Sequence, residues 1–191
     1  MKRMANPAHR RATYEDLLKV PDHLVAEIVD GELFTSPRPA IRHANASSTL
    51  GADLHVLFQR GRGGPGGWWI LDEPELHLEA DVLVPDIAGW RRERMQVPPD
   101  APAIDLAPDW ICEVVSPATS RLDRVRKLPR YSRHRVGYAW LVDPQAQTLE
   151  VYRLENERWV LLSSHEGTDK VRAEPFDAVE IELGALWTDA S

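Results

Sequence analysis

Apolar and polar residues interchange along Leu24-Val25-Ala26-Glu27-Ile28-Val29 and again along Glu32-Leu33-Phe34, with Asp30-Gly31 between them. That dipeptide suits the positive φ angles of a tight type I′ turn, so the segment reads as a β-hairpin. Ahead of it, Thr13-Tyr14-Glu15-Asp16 has the form of a capping box and opens a short helix that ends near Pro21. After Pro37 and Pro39, apolar residues at Ile41, Ala44, Leu50, Leu54 and Leu57 predict an amphipathic helix over 40–60. The glycine-rich stretch 61–67 is a connecting loop, because no Lys-Ser/Thr completes a phosphate cradle. Strands are expected at 68–71, 75–78 and 82–88, then, past a proline-rich loop over 91–108, at 110–115, where Ser116-Pro117 stops the run. A basic helical segment precedes a buried strand at 138–143 and an antiparallel pair at 148–154 and 158–162. With no repeat and no linker, the order predicts one α/β domain with a mixed sheet over 13–191, behind a flexible tail at 1–12.

Composition narrows the class. At 191 residues, 43% hydrophobic and 28% charged, the chain is long enough for a sizeable core and has an ordinary globular balance. The basic start lacks the apolar stretch of a secretory signal and no run is long enough to span a bilayer, so no membrane association and a cytoplasmic location are expected. Cys112, the single cysteine, sits in a strand pattern as a small core residue. The net charge of −7 argues against a uniformly basic nucleic-acid surface, but the charge is polarised. Seven positive residues between Arg121 and Arg135 face one acid, Asp123, for a local +6. Within that run Arg124, Arg126, Arg130 and Arg133 are candidates for phosphate contacts; a solvated helix face is the plainer alternative.

Two carboxylates stand out from this pattern. Asp86 in Val84-Pro85-Asp86-Ile87 and Glu113 in Trp110-Ile111-Cys112-Glu113-Val114-Val115 each fall inside an apolar run, where an unpaired charge is costly. On neighbouring strands they would form a hard oxygen site suited to Mg²⁺ or Mn²⁺, with Lys127 supplying a cation from the basic segment. Such a trio suits metal-assisted phosphodiester cleavage. The alternative for Lys127 is a surface ion pair with Asp123 at i, i+4 spacing. Pro129 implies either a kink or a late helix start that puts Lys127 at the helix entrance.

The chain resembles the Uma-two family of restriction-endonuclease-like proteins within the PD-(D/E)XK nuclease superfamily. The resemblance is carried by Glu27-Ile28-Val29-Asp30-Gly31-Glu32-Leu33, Ser36-Pro37 followed by His43, Val84-Pro85-Asp86, and Pro108-Asp109-Trp110-Ile111-Cys112-Glu113-Val114-Val115-Ser116-Pro117. It continues through Asp123, Lys127 and Tyr131 into Trp140-Leu141-Val142-Asp143-Pro144. It implies a restriction-endonuclease-like α/β fold, a mixed central sheet flanked by helices with an added N-terminal hairpin. It further implies that Asp86, Glu113 and the Val114 carbonyl bind Mg²⁺ or Mn²⁺. The superfamily lysine two residues after the glutamate is replaced by Val115, and members of this type use a lysine on the following helix, here Lys127. Glu27 and His43 match the pattern as further catalytic candidates, their alternatives being a polar hairpin position and a helix-surface residue. The implied activity is hydrolysis of DNA by a homodimer; a catalytically idle binding module and a phosphoesterase acting on a small nucleotide are the competing readings.

Overall fold

A computed structural model describes residues 10–188, so residues 1–9 of the expected tail lie outside the described residues. The hairpin is formed by β1 (Leu24–Val29) and β2 (Glu32–Pro37) in the register Val29 to Glu32. Asp30 and Gly31 make its turn with φ of 56° and 79°, the left-handed geometry the Asp-Gly pair was expected to supply. Before it lies α1 (Tyr14–Leu17), where the Asp16 carboxylate accepts the Thr13 N–H at 2.9 Å.

Next come α2 (Ile41–Leu54), a π-helical turn at His55–Gln59, and the strands β3 (Trp68–Asp72), β4 (Leu76–Leu78), β5 (Asp81–Leu83), β6 (Ile87–Arg91) and β7 (Trp110–Val114). The basic segment forms α3 (Ser120–Leu122), a second π-helical turn at Asp123–Lys127, and α4 (Leu128–Arg133). The chain closes with β8 (Tyr138–Asp143), β9 (Thr148–Glu155), β10 (Arg158–Glu166), and the short pair β11 (Lys170–Val171) and β12 (Ile181–Glu182). Among the described residues no helix is long and apolar enough to cross a membrane.

Two sheets result. The larger runs β10-β9-β8-β7-β6-β3, and its β7 and β8 are parallel, joined by the crossover that carries α3 and α4. The smaller runs β2-β1-β5-β4, so the expected added hairpin is built into a sheet of its own. Strand periodicity divides the core. Trp110, Cys112 and Val114 on β7 face Ala46, Leu50 and Leu54 of α2 and Phe58 of the π-helical turn after it, while Ile111 and Val115 face Leu128 and Tyr131 of α4. Gly51 lets α2 approach β3 closely, since a Cβ there would lie 2.7 Å from the Asp72 Oδ1.

The strand expected over 82–88 is two strands in two different sheets. Pro85 has no N–H to give a ladder, and the Val84 N–H is taken by a Glu27 carboxylate oxygen at 2.8 Å. The pairing of β5 therefore stops at Leu83, and β6 begins in the larger sheet at Ile87. Asp86 sits at this crossing point and not inside a strand.

Candidate active site

Glu113 shares the face of β7 that carries the apolar Ile111 and Val115, and so points toward α4. Only 2% of the residue is exposed. Its Oε1 accepts the Tyr131 hydroxyl at 2.7 Å and lies 2.9 Å from the Lys127 Nζ. The same ammonium is 2.8 Å from Glu27 Oε1, donates to the Val84 carbonyl at 3.1 Å, and stands 4.0 Å from Asp123. Lys127 is thus a buried cation between β1, β7 and the link from β5 to β6. The ion pair with Asp123 exists, but it is buried and is the longest of the three.

Local sequence explains how the lysine gets there. Pro129 lies in the first turn of α4, immediately after a π-helical turn of which Lys127 is the last residue. The π-helical turn at Asp123–Lys127 carries the chain from α3 into α4 without a break. Lys127 and Tyr131 are four residues apart and share the buried face. One turn further along, Arg130 forms a second cross-link between the same elements. Its Nε donates to the buried Asp81 on β5 at 2.6 Å, its other nitrogen pairs with Asp30 at 3.1 Å, and Asp81 also accepts the Asp30 N–H at 2.7 Å. Glu27 and Asp30 on the hairpin, Asp81 and Val84 after it, and Lys127, which ends the π-helical turn, and Arg130 on α4 are each three residues apart. The helix is therefore tied to the small sheet by two successive rungs.

Asp86 enters from the other side. Antiparallel pairing of β6 with β7 stops at Cys112, and the Val114 N–H is instead accepted by Asp86 Oδ2 at 2.7 Å. On a strand the N–H and C=O of one residue point the same way, so the Val114 carbonyl also faces this side. Asp86 Oδ1 is 3.3 Å from His43 Nε2, and His43 Nδ1 is buried with no partner among the described residues. A cavity of about 360 Å³ joins these groups, lined by Glu27, His43, Glu73, Asp86, Glu113 and Lys127 among others.

Charge in this cavity is unbalanced. Glu27, Glu73, Asp86, Glu113 and Asp123 line it against Lys127 and Arg38. Burial lifts Glu113 well above the usual carboxylate range; Lys127 counters this, and Asp123, Asp86 and Glu27 add to it. Asp123 is raised to about 6, again by burial, against the pull of Lys127 and Thr119. Burial lowers Lys127, but Glu113 and Glu27 more than offset it and hold the ammonium well above its ordinary value. For His43 burial is likewise outweighed, by the bond and charge of Asp86, so its proton affinity is raised. A surplus of hard oxygen donors under mutual repulsion fits a divalent cation. Among the described residues no three of His, Cys, Asp or Glu form a closed metal cage. Two carboxylates, a carbonyl and water make the open kind of set that Mg²⁺ commonly takes.

Of the residues singled out in the sequence, Asp86, Glu113, Val114, Lys127, Glu27 and His43 line this one cavity. The four arginines do not. Arg124 pairs with Glu150, Arg126 with Glu32 at 3.2 Å, Arg130 with Asp81, and Arg133 is exposed away from the cavity lining. Asp123 and Tyr131, which the sequence analysis gave no role in the site, flank Lys127 at i, i+4 spacing, a local signal that places all three on one helix face.

A family model described as "Uma2: Putative restriction endonuclease" matches residues 11–184. The chain is also similar to a solved structure described as "a putative nuclease belonging to DUF820 from Anabaena variabilis ATCC 29413", at 22% identity and a TM-score of 0.73. The match covers 92% of this chain and 97% of that one, which shows a shared mixed α/β fold. Among curated proteins none matches.

Proposed function

We propose a function from one premise: the chain belongs to the Uma2 family. The proposal is that it is a metal-dependent endonuclease that hydrolyses phosphodiester bonds in DNA, with Asp86, Glu113 and the Val114 carbonyl holding Mg²⁺ or Mn²⁺. The bound ion would polarise the scissile phosphate and lower the pKa of a water. The observation that carries the reading is the buried ammonium of Lys127 within 2.9 Å of Glu113 and 2.8 Å of Glu27, in the cavity that Asp86 lines.

Each side chain then has a task that its contacts support. Lys127, kept protonated by two carboxylates, presents a fixed positive charge where negative charge grows on the phosphoryl oxygens. Glu27 sets the lysine's position and is itself fixed by the Val84 N–H. Tyr131 holds one oxygen of Glu113, and the Val114 N–H holds one oxygen of Asp86, so both acids are oriented before any ion or substrate arrives. His43, whose Nε2 lies 3.3 Å from the second oxygen of Asp86, holds that carboxylate from the cavity wall. A duplex offers two strands, and a homodimer would match them with two such sites.

Incubation of the protein with supercoiled plasmid tests this. Nicking or linearisation is expected with Mg²⁺ or Mn²⁺, none with chelator, and none for Asp86→Asn or Glu113→Gln. Cleavage that survives chelation or either substitution refutes the assignment. A second reading, an idle binding module retaining the fold, is favoured by one observation: Lys127 already pairs with both Glu113 and Glu27 without any ion. Absence of heat on calorimetric titration with Mn²⁺ would select it.

A further inference from the structure

The arginines between 121 and 135 are largely neutralised within the fold, whereas another group is not. From Val56 to Leu71 the chain has no acidic residue, and within it Arg60 and Arg62 are exposed beside the glycine-rich loop. Arg92, at the end of β6, is bound to the same loop: its N–H donates to the Gly67 carbonyl at 2.9 Å and its guanidinium to the carbonyls of Gln59 at 3.0 Å and Trp68 at 3.2 Å. The guanidinium also stacks over Trp69 at 4.0 Å, and Arg91 stacks over Trp68 at 4.6 Å. Among the described residues no ion pair to an acid is formed by the guanidinium of Arg60, Arg62, Arg91 or Arg92, although the Arg91 backbone N–H donates to the Asp109 carboxylate at 2.8 Å. Along the chain the nearest acids are Asp53 to Arg60 and Arg62, with Asp72 next, and the exposed Glu93 to Arg92, and no ion pair joins any of them to these arginines, while Asp109 is paired with Arg94.

We infer that this corner, formed by Arg60, Arg62 and Arg92 around the glycine-rich loop, is the surface that binds the phosphate backbone of duplex DNA. The inference rests on the nuclease reading for its choice of polyanion. It differs from that reading in needing no metal.

Geometry supports the division of labour. The corner lies at the Trp68 end of β3, and Asp72, next to Glu73 of the cavity, lies at the other end. Four residue steps on a strand span roughly 13 Å. One strand of a duplex advances about 3.4 Å per nucleotide, so a backbone held at the corner would reach the cavity end about four nucleotides away. The cavity end is acidic and repels a polyanion until a cation is present. The arginine end attracts it under all conditions, so binding and cleavage are expected to separate. Ordered guanidiniums stacked on indoles also lose less freedom on contact than free side chains do. Glycines with no side chain let a backbone phosphate approach the loop amides closely.

Fluorescence anisotropy of a labelled duplex in chelator, over a range of salt, is the test. Wild-type protein should bind, with log K falling linearly against log salt. Arg60→Gln with Arg62→Gln should flatten that slope by about 2, and Arg92→Gln by about 1 more. Arg158→Gln, exposed on β10, should leave the slope unchanged. Arg60 and Arg62 are exposed, so the double variant keeps its unfolding midpoint and the result does not hinge on Arg92. An unchanged slope in the double variant overturns the inference, as does absence of metal-free binding at low salt, or flattening produced instead by Arg126→Gln with Arg133→Gln. Plasmid cleavage is read separately. Metal-free binding that flattens as expected in a protein that never cleaves refutes the nuclease reading alone, and cleavage with an unchanged slope refutes the corner alone.

Discussion

Replacing Lys127 by methionine keeps the length of the side chain and removes its charge. In the native protein that charge stands 2.8 Å from Glu27 and 2.9 Å from Glu113, with 2% of the residue exposed. At an effective dielectric constant of about 20 each contact is worth roughly 6 kcal/mol of gross attraction. Desolvation of all three groups opposes most of it, so the gross figure is not the stability at stake. What the substitution changes is that two buried carboxylates lose their cation, at a cost of about 3–5 kcal/mol. In a chain of this size 1 kcal/mol moves the unfolding midpoint by about 2–4 °C, so a fall of roughly 6–20 °C is expected at pH 8 without divalent ions. The cost must shrink in acid. Glu113 is already displaced upward by burial, and without the lysine it takes up a proton more readily still. Stability of the variant is therefore recovered at low pH and lost as pH rises through the folded-state pKa. Urea unfolding at pH 5 and pH 8, in chelator, measures both values. Adding Glu113→Gln should return part of the loss, a coupling that a double-mutant cycle isolates. A penalty under about 1 kcal/mol at pH 8, or one equal at the two pH values, would refute the claim that Lys127 is what allows these acids to be buried.

Three further outcomes follow from the same geometry. Asp123 is raised from 3.8 to about 6, so its folded-state contribution is fully present below pH 3.8 and lost as pH passes 6. Asp123→Asn should then stabilise the metal-free protein by up to about 3 kcal/mol at pH 8 and by little at pH 4, and equal urea midpoints at pH 8 would contradict this. Arg130→Met strands the buried Asp81 and should cost about 3–5 kcal/mol while leaving the salt slope of DNA binding unchanged; a flattened slope with unaltered stability would return Arg130 to the phosphate-binding set. Tyr131→Phe removes one hydrogen bond to a carboxylate and should lower stability by about 1.5–3 kcal/mol, and a thermal midpoint equal to wild type would mean the bond contributes nothing.

What could be read from the sequence divides along a physical line. Patterns with short periods were legible: the Asp-Gly turn, the alternation that makes Glu113 conspicuous on β7, and the long helix before the glycines all appear where local preferences place them. The break at Asp86 was partly legible, since Pro85 forbids an unbroken central strand, but that local signal does not reveal that the chain changes sheets there. Lys127 could have been placed on the buried face of its helix from Asp123 and Tyr131 at i, i+4, whereas its contacts with Glu27 and Glu113 depend on how α4 packs. The arginines show the limit most clearly. Arg126 meets a glutamate 94 residues away, Arg130 an aspartate 49 away and Arg124 a glutamate 26 away, and no local reading of a basic run can see such partners. Yet with 30 acids against 23 lysines and arginines, pairing is the expected fate of an arginine on a packed element. The exceptions should be sought where acids are missing from the neighbourhood as well as where bases are dense. By that criterion the stretch from Val56 to Leu71, with two arginines and no acid, is a better candidate for an open positive surface than the denser run at 121–135.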